Sequence, residues 1–167
     1  MTKHVSGVSD QVILRDVTDD DRPILFEFQL DEEANRMAAF APRDWEAFLA
    51  HWERVGHNPT AIRRAIVCDG QVVGNIGCWE QDGHHEVGYW IGRAFWGRGI
   101  ATQALAAFVQ QVKLRPLYGY VATHNVASRR VLEKCGFVVS GYVNDFTTLN
   151  GEDVAGIVLK LDVSTSE

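Results

Sequence analysis

The first third of the chain carries apolar residues at helical spacing. A short apolar stretch at 12–15 is typical of a strand. Thr18 followed by Asp19–Asp21 predicts a helix start, because a hydroxyl N-cap and acidic first-turn residues both stabilise a helix N-terminus. The apolar positions of this first helix are Ile24, Leu25, Phe28 and Leu30. A second helix is predicted after Pro42. Its apolar residues, at i, i+3, i+4 and i+7, are Trp45, Phe48, Leu49 and Trp52.

From residue 61 the apolar pattern changes to that of strands. Segments 61–68 and 71–79 flank Asp69-Gly70, a dipeptide typical of a two-residue hairpin turn. A further turn at 81–83 leads into a third strand at 84–92. The sequence therefore predicts an antiparallel meander of three strands in the middle of the chain.

The second half alternates helices and strands. Helices are predicted at 100–112, ending before Pro116, and from Asn125 to the residue before Gly136, a glycine expected at a left-handed C-cap. The remaining strands are predicted at 117–123, 138–146 and 154–161, the last two joined by a polar loop containing Asn150-Gly151. The order β-α-α-β-β-β-α-β-α-β-β predicts an α+β fold with a mixed sheet and helices on both faces. We expect one domain over 1–167 with a core at about 11–162.

A glycine-rich turn, Gly97-Arg98-Gly99, lies between a predicted strand and a predicted helix. Such a turn allows the backbone to approach an anion, which the helix dipole then stabilises. The pattern alone is equally compatible with a tight turn that holds no ligand. Thr102 stands where a dinucleotide fingerprint has its third glycine, and the Lys-Ser/Thr pair of a Walker A loop is missing. Binding of another nucleotide phosphate stays an alternative.

Composition excludes several classes of function. Lys plus Arg total 16 and Asp plus Glu total 22, giving a net charge of −6, which does not attract a nucleic-acid backbone. The chain has three cysteines without CxxC spacing, a polar N-terminus and no apolar run long enough for a bilayer. We therefore expect a cytoplasmic protein with no membrane partner. His84, His85 and His124 match no zinc spacing, so no metal is expected, and Cys135 is expected to be a packed thiol.

Three segments in order carry a family resemblance: 86–91, 95–105 and 125–137. Together they resemble the GNAT superfamily of N-acetyltransferases, in particular its RimJ and RimL branch. The resemblance implies a GNAT fold, with a mostly antiparallel sheet of six to seven strands, and acetyl-CoA as co-substrate. Gly99 and Ala101 match the family's pyrophosphate motif, whereas Trp96 replaces its usual Gln or Arg. Dimers are common in this branch, so a homodimer is one expected oligomeric state.

The resemblance also implies a set of cofactor-binding residues. On the third meander strand these are Tyr89, Trp90 and Ile91, along the pantetheine and thioester. At the glycine-rich turn they are Trp96, Gly97, Arg98, Gly99, Ile100, Ala101 and Thr102, around the pyrophosphate. On the following helix they are Asn125 and Ser128. Asn125 is equally expected as a plain helix N-cap, and the two roles are compatible.

The family transfers the acetyl group by direct attack of an amine on the thioester. Glu86 and His85 are candidates for the general base, and adjacent strand residues face opposite sides, so at most one lines the cleft. Many relatives carry a tyrosine as general acid where this chain has Leu132. Tyr142, Ser128 or a water must then act, or the thiolate leaves unassisted.

The resemblance implies that the acceptor is a primary amine, either a protein N-terminal α-amine or a small molecule, bound by variable loops that here lie around 31–44 and 146–153. The acidic residues Asp31, Glu32 and Glu33 either meet a cationic amine or form a solvated loop. The sequence does not identify the acceptor or the length of the acyl group. An alternative reading is a non-catalytic acyl-CoA-binding sensor or scaffold.

Overall fold

The computed structural model describes residues 11–147 and 153–163. The strands are β1 (Val12–Asp16), β2 (Ile62–Cys68), β3 (Gln71–Gln81), β4 (His84–Ile91), β5 (Leu117–Ala122), β6 (Val138–Thr147) and β7 (Asp153–Leu161). The helices are α1 (Arg22–Phe28), α2 (Glu32–Ala38), α3 (Trp45–Gly56), α4 (Ile100–Gln111) and α5 (Val126–Lys134). The predicted Asn150-Gly151 turn lies outside the described residues.

The seven strands form one sheet in the order β1-β2-β3-β4-β5-β7-β6. Every neighbouring pair is antiparallel except β4 and β5, which are parallel. This confirms the expected mixed, mostly antiparallel sheet and the α+β class. The Asp69-Gly70 hairpin is also confirmed, since Cys68 pairs with Gln71 across it and Gly70 has a φ of +76°.

Two buried clusters lie on opposite faces of the sheet. Leu105 and Phe108 of α4 belong to the larger cluster, while Trp52 of α3 belongs to the smaller one. Val72 and Val73 are successive residues of β3, yet each belongs to a different cluster. Because successive strand residues point to opposite faces, the clusters are separated by the sheet. The prediction of helices on both faces is therefore confirmed.

The region before β2 contains three helices, whereas the sequence pattern predicted two. The additional helix, α2, begins after Asp31, whose side chain accepts a hydrogen bond from the Ala34 amide at 2.9 Å. The prediction missed α2 because it has only two turns and few apolar residues, so helical periodicity cannot develop. Its N-cap and acidic first turn were the available signals.

The first helix begins later than predicted, at Arg22, because Thr18–Asp21 form a separate 3₁₀ turn. The Asp21 carboxylate accepts hydrogen bonds from the Thr18 amide at 2.8 Å and from Arg15 at 2.7 and 2.9 Å. The hydrogen bonds from Arg15 lower the pKa of Asp21 to about 2. The predicted apolar stripe was wrong in part, since Leu25 is buried but Ile24 and Leu30 are more than 40% exposed.

Candidate active site

The parallel strands β4 and β5 separate soon after they meet. Only His85 with Leu117 and Glu86 with Tyr118 are paired. A cavity of about 110 Å³ opens beyond these pairs, and we call it the β4–β5 cleft. Its lining residues are Ala38, Val87, Gly88, Tyr89, Gly119, Tyr120, Val121, Ala122, Asn125, Ser128 and Leu132.

Part of the β4 backbone lacks a partner strand along this cleft. The Gly92 amide donates to Val73 of β3 at 2.8 Å. Since backbone groups alternate sides along a strand, the amides of Tyr89 and Ile91 point away from β3 and toward the cleft. Consistent with this direction, the Ile91 carbonyl accepts a hydrogen bond from Trp96 Nε1 at 2.9 Å rather than from β3. Backbone donors therefore line one wall of the opening.

The glycine-rich turn leads directly into the N-terminus of α4. Gly97 and Gly99 have φ angles of +77° and +74°, and nothing lies within 4 Å of a Cβ added at either position. Gly99 is the N-cap, and its carbonyl accepts a hydrogen bond from the Gln103 amide at 3.1 Å. The amides at 100–102 consequently have no intrahelical acceptor. The turn thus presents open space and several backbone donors at the positive end of a 12-residue helix.

The side chains around this turn are held by neighbours. Arg98 lies 4.0 Å from an Asp69 carboxylate oxygen, and its guanidinium carbon lies 5.9 Å from the Phe95 ring centroid. Trp96 is 41% exposed, so its ring lies at the surface beside the turn. Ile100 is buried in the larger core cluster and anchors the helix start. The structure therefore brings together the residues predicted for the pyrophosphate site, with backbone rather than side chains at its centre.

Tyr89 and Ser128 meet across the cleft. The Tyr89 hydroxyl lies 2.8 Å from Ser128 Oγ and 3.0 Å from the Ser128 carbonyl oxygen. Asn125 caps α5 by accepting a hydrogen bond from the Ser128 amide at 3.2 Å. Burial raises the pKa of Tyr89 to about 12, so this hydroxyl stays protonated at neutral pH. Of the three predicted β4 residues, Tyr89 alone has a side chain in the cleft lining, because Ile91 is in the core and Trp90 contacts Phe40 on the other face.

Glu86 belongs to a polar cluster on the α3 side of the sheet. His84, two residues earlier on the same face, has Nε2 at 3.3 Å from Glu86 Oε1 and at 3.1 Å from the Tyr120 hydroxyl. The His84 ring also contacts Tyr118 edge to face, with 4.9 Å between centroids. Burial raises the pKa of the Glu86 carboxyl, partly opposed by its hydrogen bond to His84. A carboxylate with a raised pKa beside a cleft is a typical general base.

The histidine beside Glu86 is not the one that the sequence suggested. His85 follows on the opposite face of β4 and pairs with Glu80 across the hairpin, whereas His84 contacts the carboxylate. The i, i+2 spacing of His84 and Glu86 was the sequence signal for this pair. Tyr142, a predicted candidate acid, is 72% exposed on the edge strand β6 and is absent from the cleft lining.

Two of the three predicted acidic residues at α2 are paired, and the third, Glu32, is exposed. Asp31 caps α2 and lies 3.5 Å from Arg93, while Glu33 pairs with Arg36.

Over residues 11–147 and 153–163, no group of His, Cys, Asp or Glu is arranged to hold a metal ion. Within the same residues, no helix has the length and apolar character needed to cross a membrane. Burial raises the pKa of Cys135, which disfavours the reactive thiolate.

Two curated proteins from Bacillus subtilis (strain 168) resemble the chain. The protein named "Putative ribosomal N-acetyltransferase YdaF" is 29% identical over 113 residues, which cover 64% of this chain and 62% of YdaF. The protein named "Probable N-acetyltransferase YjcK" is 35% identical over 69 residues, covering 39% of this chain and 38% of YjcK. The aligned segment therefore spans less than two thirds of either relative.

Solved acetyltransferases share the whole fold. Mycobacterium smegmatis RimJ, solved with CoA-disulfide, superposes with a TM-score of 0.77 at 20% identity over 93% of this chain and 83% of RimJ. Spermidine N-acetyltransferase from Vibrio cholerae, solved with CoA and spermine, gives a TM-score of 0.79 at 17% identity over 91% of this chain and 95% of the enzyme chain. At these identities the likeness concerns the fold.

A family-level match covers most of the described chain. Residues 11–138 match the family described as "Acetyltransferase (GNAT) domain". The match includes the β4–β5 cleft, the glycine-rich turn and α5, which are the elements that the structure brings together. The chain therefore belongs to the GNAT acetyltransferase family.

Proposed function

We propose that this chain is an acyl-CoA-dependent N-acetyltransferase that transfers the acetyl group of acetyl-CoA to a primary amine. The observation that carries the proposal is the separation of β4 from β5 next to the N-terminus of α4. This arrangement exposes strand amides along the cleft, next to a half-buried carboxylate of raised pKa on β4, and α4 begins nine residues after β4 ends. Membership of the GNAT family supports the same activity.

The glycine-rich turn fits the pyrophosphate of coenzyme A. Its two positive-φ glycines leave room where a side chain would otherwise stand, and three amides of α4 lack intrahelical acceptors. Backbone donors at a helix N-terminus bind phosphate groups well. The replacement of the family's usual polar side chain by Trp96 therefore lowers the affinity for the anion only slightly, because the amides from Gly97 to Thr102 bind it. Acetyl-CoA supplies the activated acetyl group and a thiol leaving group.

The β4 backbone supplies the donors for the thioester carbonyl. The amides of Tyr89 and Ile91 point toward the cleft, in line with the backbone donor that direct acyl transfer requires as negative charge develops on the carbonyl oxygen. Such donors are fixed before the reaction because the opposite side of β4 is hydrogen-bonded to β3. They therefore need no rearrangement when the charge appears.

Glu86 acts as the general base. Its carboxylate is half-buried, and burial raises its pKa toward the range in which it both ionises and accepts a proton. The amine must lose a proton during attack, and Glu86 receives this proton directly or through one water. His84 orients the carboxylate from 3.3 Å. His85 faces the other side of β4, so we assign it no part in proton transfer.

The Tyr89–Ser128 pair assists departure of the thiolate. Leu132 leaves α5 without the tyrosine that many relatives use, but the Tyr89 hydroxyl reaches the same cleft from β4 and lies 2.8 Å from Ser128 Oγ. Tyr89 remains protonated at neutral pH, so it donates to Ser128 while Ser128 Oγ donates to the sulfur. The two hydroxyl groups thus form a hydrogen-bonded chain that links β4 to the first turn of α5.

Replacing Tyr89 with phenylalanine is expected to lower kcat by about tenfold, because loss of a positioned donor weakens general-acid catalysis. The dissociation constant for acetyl-CoA should change by less than about threefold, since the aromatic ring remains. Steady-state kinetics and isothermal titration measure the two quantities. Tyr142→Phe, which alters an exposed hydroxyl, is the control and should match the wild type. An unchanged kcat in Tyr89→Phe would remove this assignment.

Thiol release from acetyl-CoA with a panel of amines and peptides tests the proposed function. We expect thiol release that requires both acetyl-CoA and an acceptor. The mass of the acceptor should increase by about 42 Da, which corresponds to one transferred acetyl group. Named acceptors differ among similar proteins, from ribosomal protein L7/L12 to spermidine. A chain that binds acetyl-CoA but releases no thiol with any acceptor would instead be a non-catalytic acyl-CoA-binding module.

A further inference from the structure

Arg63 lies flat across the sheet in the direction of the cleft. It starts on β2, and a Cβ added at its β3 partner Gly77 would lie only 2.7 Å from Arg63 Cδ. Only a glycine at position 77 allows this path. Gly77 in turn pairs with Gly88 of β4, which lines the β4–β5 cleft. The Arg63 side chain therefore runs from β2 over β3 in the direction of β4.

The Arg63 guanidinium is fixed between two tryptophan rings. Its central carbon lies 5.1 Å from the Trp52 centroid and 5.5 Å from the Trp79 centroid. Trp79 also reaches toward β4, because a Cβ added at Gly88 would lie 2.9 Å from the tip of its ring. Burial lowers the pKa of Arg63 to about 10, so it remains charged at neutral pH. Its Nε is buried and has no hydrogen-bond partner.

Arg43 provides a second cation in the same region. Its guanidinium carbon lies 5.1 Å from the Phe40 centroid, and Phe40 contacts Trp90 of β4 at 5.3 Å between centroids. The charge of Arg43 adds to burial in lowering the pKa of Arg63, so the two guanidinium groups lie close enough to repel each other. Burial first, and then the charges of Arg43, Arg63 and Arg54, lower the pKa of the nearby His51 to about 4, so the neutral imidazole adds no further positive charge.

The charges of these arginines are not balanced by nearby carboxylates among residues 11–147 and 153–163, although the protein is acidic. In the part of the chain that the structure describes, no carboxylate forms an ion pair with Arg43 or Arg63. Two carboxylates on the α2 side are engaged elsewhere, since Asp31 contacts Arg93 and Glu33 contacts Arg36. A buried charge without a partner is costly to the fold. A ligand that neutralises Arg63 would offset this cost.

Resting on the proposed acetyltransfer, we propose that the acceptor is a primary amine that also carries a carboxylate or a phosphate, bound by Arg43 and Arg63. The anionic group lies over β3 between Trp79 and Phe40, while the amine reaches Glu86 and the β4–β5 cleft. Neighbouring strands are about 4.8 Å apart, so the amine and the anion are separated by roughly 5 to 10 Å. Arginine forks bind carboxylate and phosphate oxygens with two parallel hydrogen bonds.

We favour binding of the acceptor's anion on the β4 side of Arg63 over a separate anion site on the opposite side of this residue. A cavity of about 470 Å³ lies on that side, lined by the ends of β1 and α3 and the start of β2. The other arginines of this cavity are paired, Arg22 with Asp19 at 3.5 Å and Arg64 with Asp16 at 3.0 Å. The Arg63 side chain also extends away from β1 and toward β4. An anion held there would leave acceptor kinetics unchanged.

Matched acceptor pairs test the proposal. Each pair contains an anionic amine and its neutral counterpart: 5-aminovalerate with its amide, the dipeptide amides Ala-Glu and Ala-Gln, and 3-aminopropyl phosphate with 3-aminopropanol. With the wild type, we expect kcat/KM to be at least about tenfold higher for the anionic member, the effect of one charge-assisted hydrogen bond. The phosphate and carboxylate pairs show which anion is preferred.

Arginine variants show whether these residues are responsible. Arg43→Gln should bring the ratio of kcat/KM for anionic over neutral acceptors close to one, through a higher KM for the anionic member. The Arg43 backbone, rather than its side chain, bonds Gln29 at 2.7 and 2.9 Å, so this variant keeps the loop contact. Arg63→Gln should have the same effect. Lys113→Gln, an exposed charge change beyond α4, is the matched control and should keep the wild-type ratio.

Two outcomes would overturn the inference. Equal kcat/KM values for both members of every pair in the wild type would exclude an anionic acceptor. An equal loss for both members in Arg43→Gln, with an unchanged melting temperature, would mean that Arg43 does not bind the anion. Failure of the proposed function is distinguishable from both, because a wild type that binds acetyl-CoA would then release no thiol with either member.

Discussion

Replacing Gly99 with valine is expected to abolish acetyl-CoA binding while the sheet stays folded. Gly99 has a φ of +74° at the N-cap of α4, a conformation that a β-branched residue rarely adopts. The turn must then change its path, and the amides that follow no longer converge on one anion. We expect the dissociation constant for acetyl-CoA to rise on the order of 100-fold or more.

Isothermal titration measures this loss, and circular dichroism checks the fold. Nothing lies within 4 Å of a Cβ added at Gly99, so the substitution does not overfill the core. Gly83→Val is the matched control, because Gly83 has a φ of +85° with similar open space but lies in the β3–β4 hairpin. That variant should bear similar backbone strain and still bind acetyl-CoA. Normal binding by Gly99→Val would refute the placement of the pyrophosphate.

Replacing Glu86 with glutamine is expected to lower kcat/KM for the amine by about 10² to 10⁴-fold at neutral pH. The amide keeps the shape of the side chain and a hydrogen-bonding oxygen for His84, but it accepts no proton. Acetyl-CoA binding should stay unchanged, because Glu86 faces the acceptor side of β4. Glu80→Gln, an exposed carboxylate on the neighbouring strand, is the control and should retain activity.

The pH profile provides a second measurement of the same role. The ionised form of Glu86 is the base, so kcat/KM falls as pH decreases through its pKa. Because burial raises that pKa, the acidic limb should lie at higher pH than for a solvated glutamate. His84, Tyr118, Tyr120 and Asp82 are the titratable neighbours. An acidic limb that persists in Glu86→Gln and disappears in His84→Gln would assign the base to His84 instead.

The order of the elements and the cofactor side of the site follow from local sequence. Apolar periods, the Asp69-Gly70 turn and the glycines before α4 each act over a few residues, and the structure reproduces them. The residues that we propose for the pyrophosphate are contiguous, so one segment specifies them together. Short α2 escaped prediction because two turns are too few to develop a helical period, and packing rather than pattern stabilises it.

Contacts between distant segments were beyond the reach of the sequence pattern. Tyr89 meets Ser128 across 39 positions, and the Tyr120 hydroxyl meets His84 across 36. The sequence around one residue of such a pair does not predict the other residue, because the register of β4 beside β5 is set by the packing of the whole sheet. The contact of His84 with Glu86 differs, because it follows from the alternation of side chains along β4 itself and its i, i+2 spacing is present in the sequence.

By itself, the sequence determined the fold class, the glycine-rich turn and the family resemblance, because those features depend on residues close together in the chain. Only the tertiary structure decided which side chains share the cleft and which charges are paired. Arg63 illustrates the difference, since its unpartnered Nε depends on β2, β3 and α3 meeting around it. Burial and pairing are properties of the assembled sheet, and they determine where the acceptor's charge can be bound.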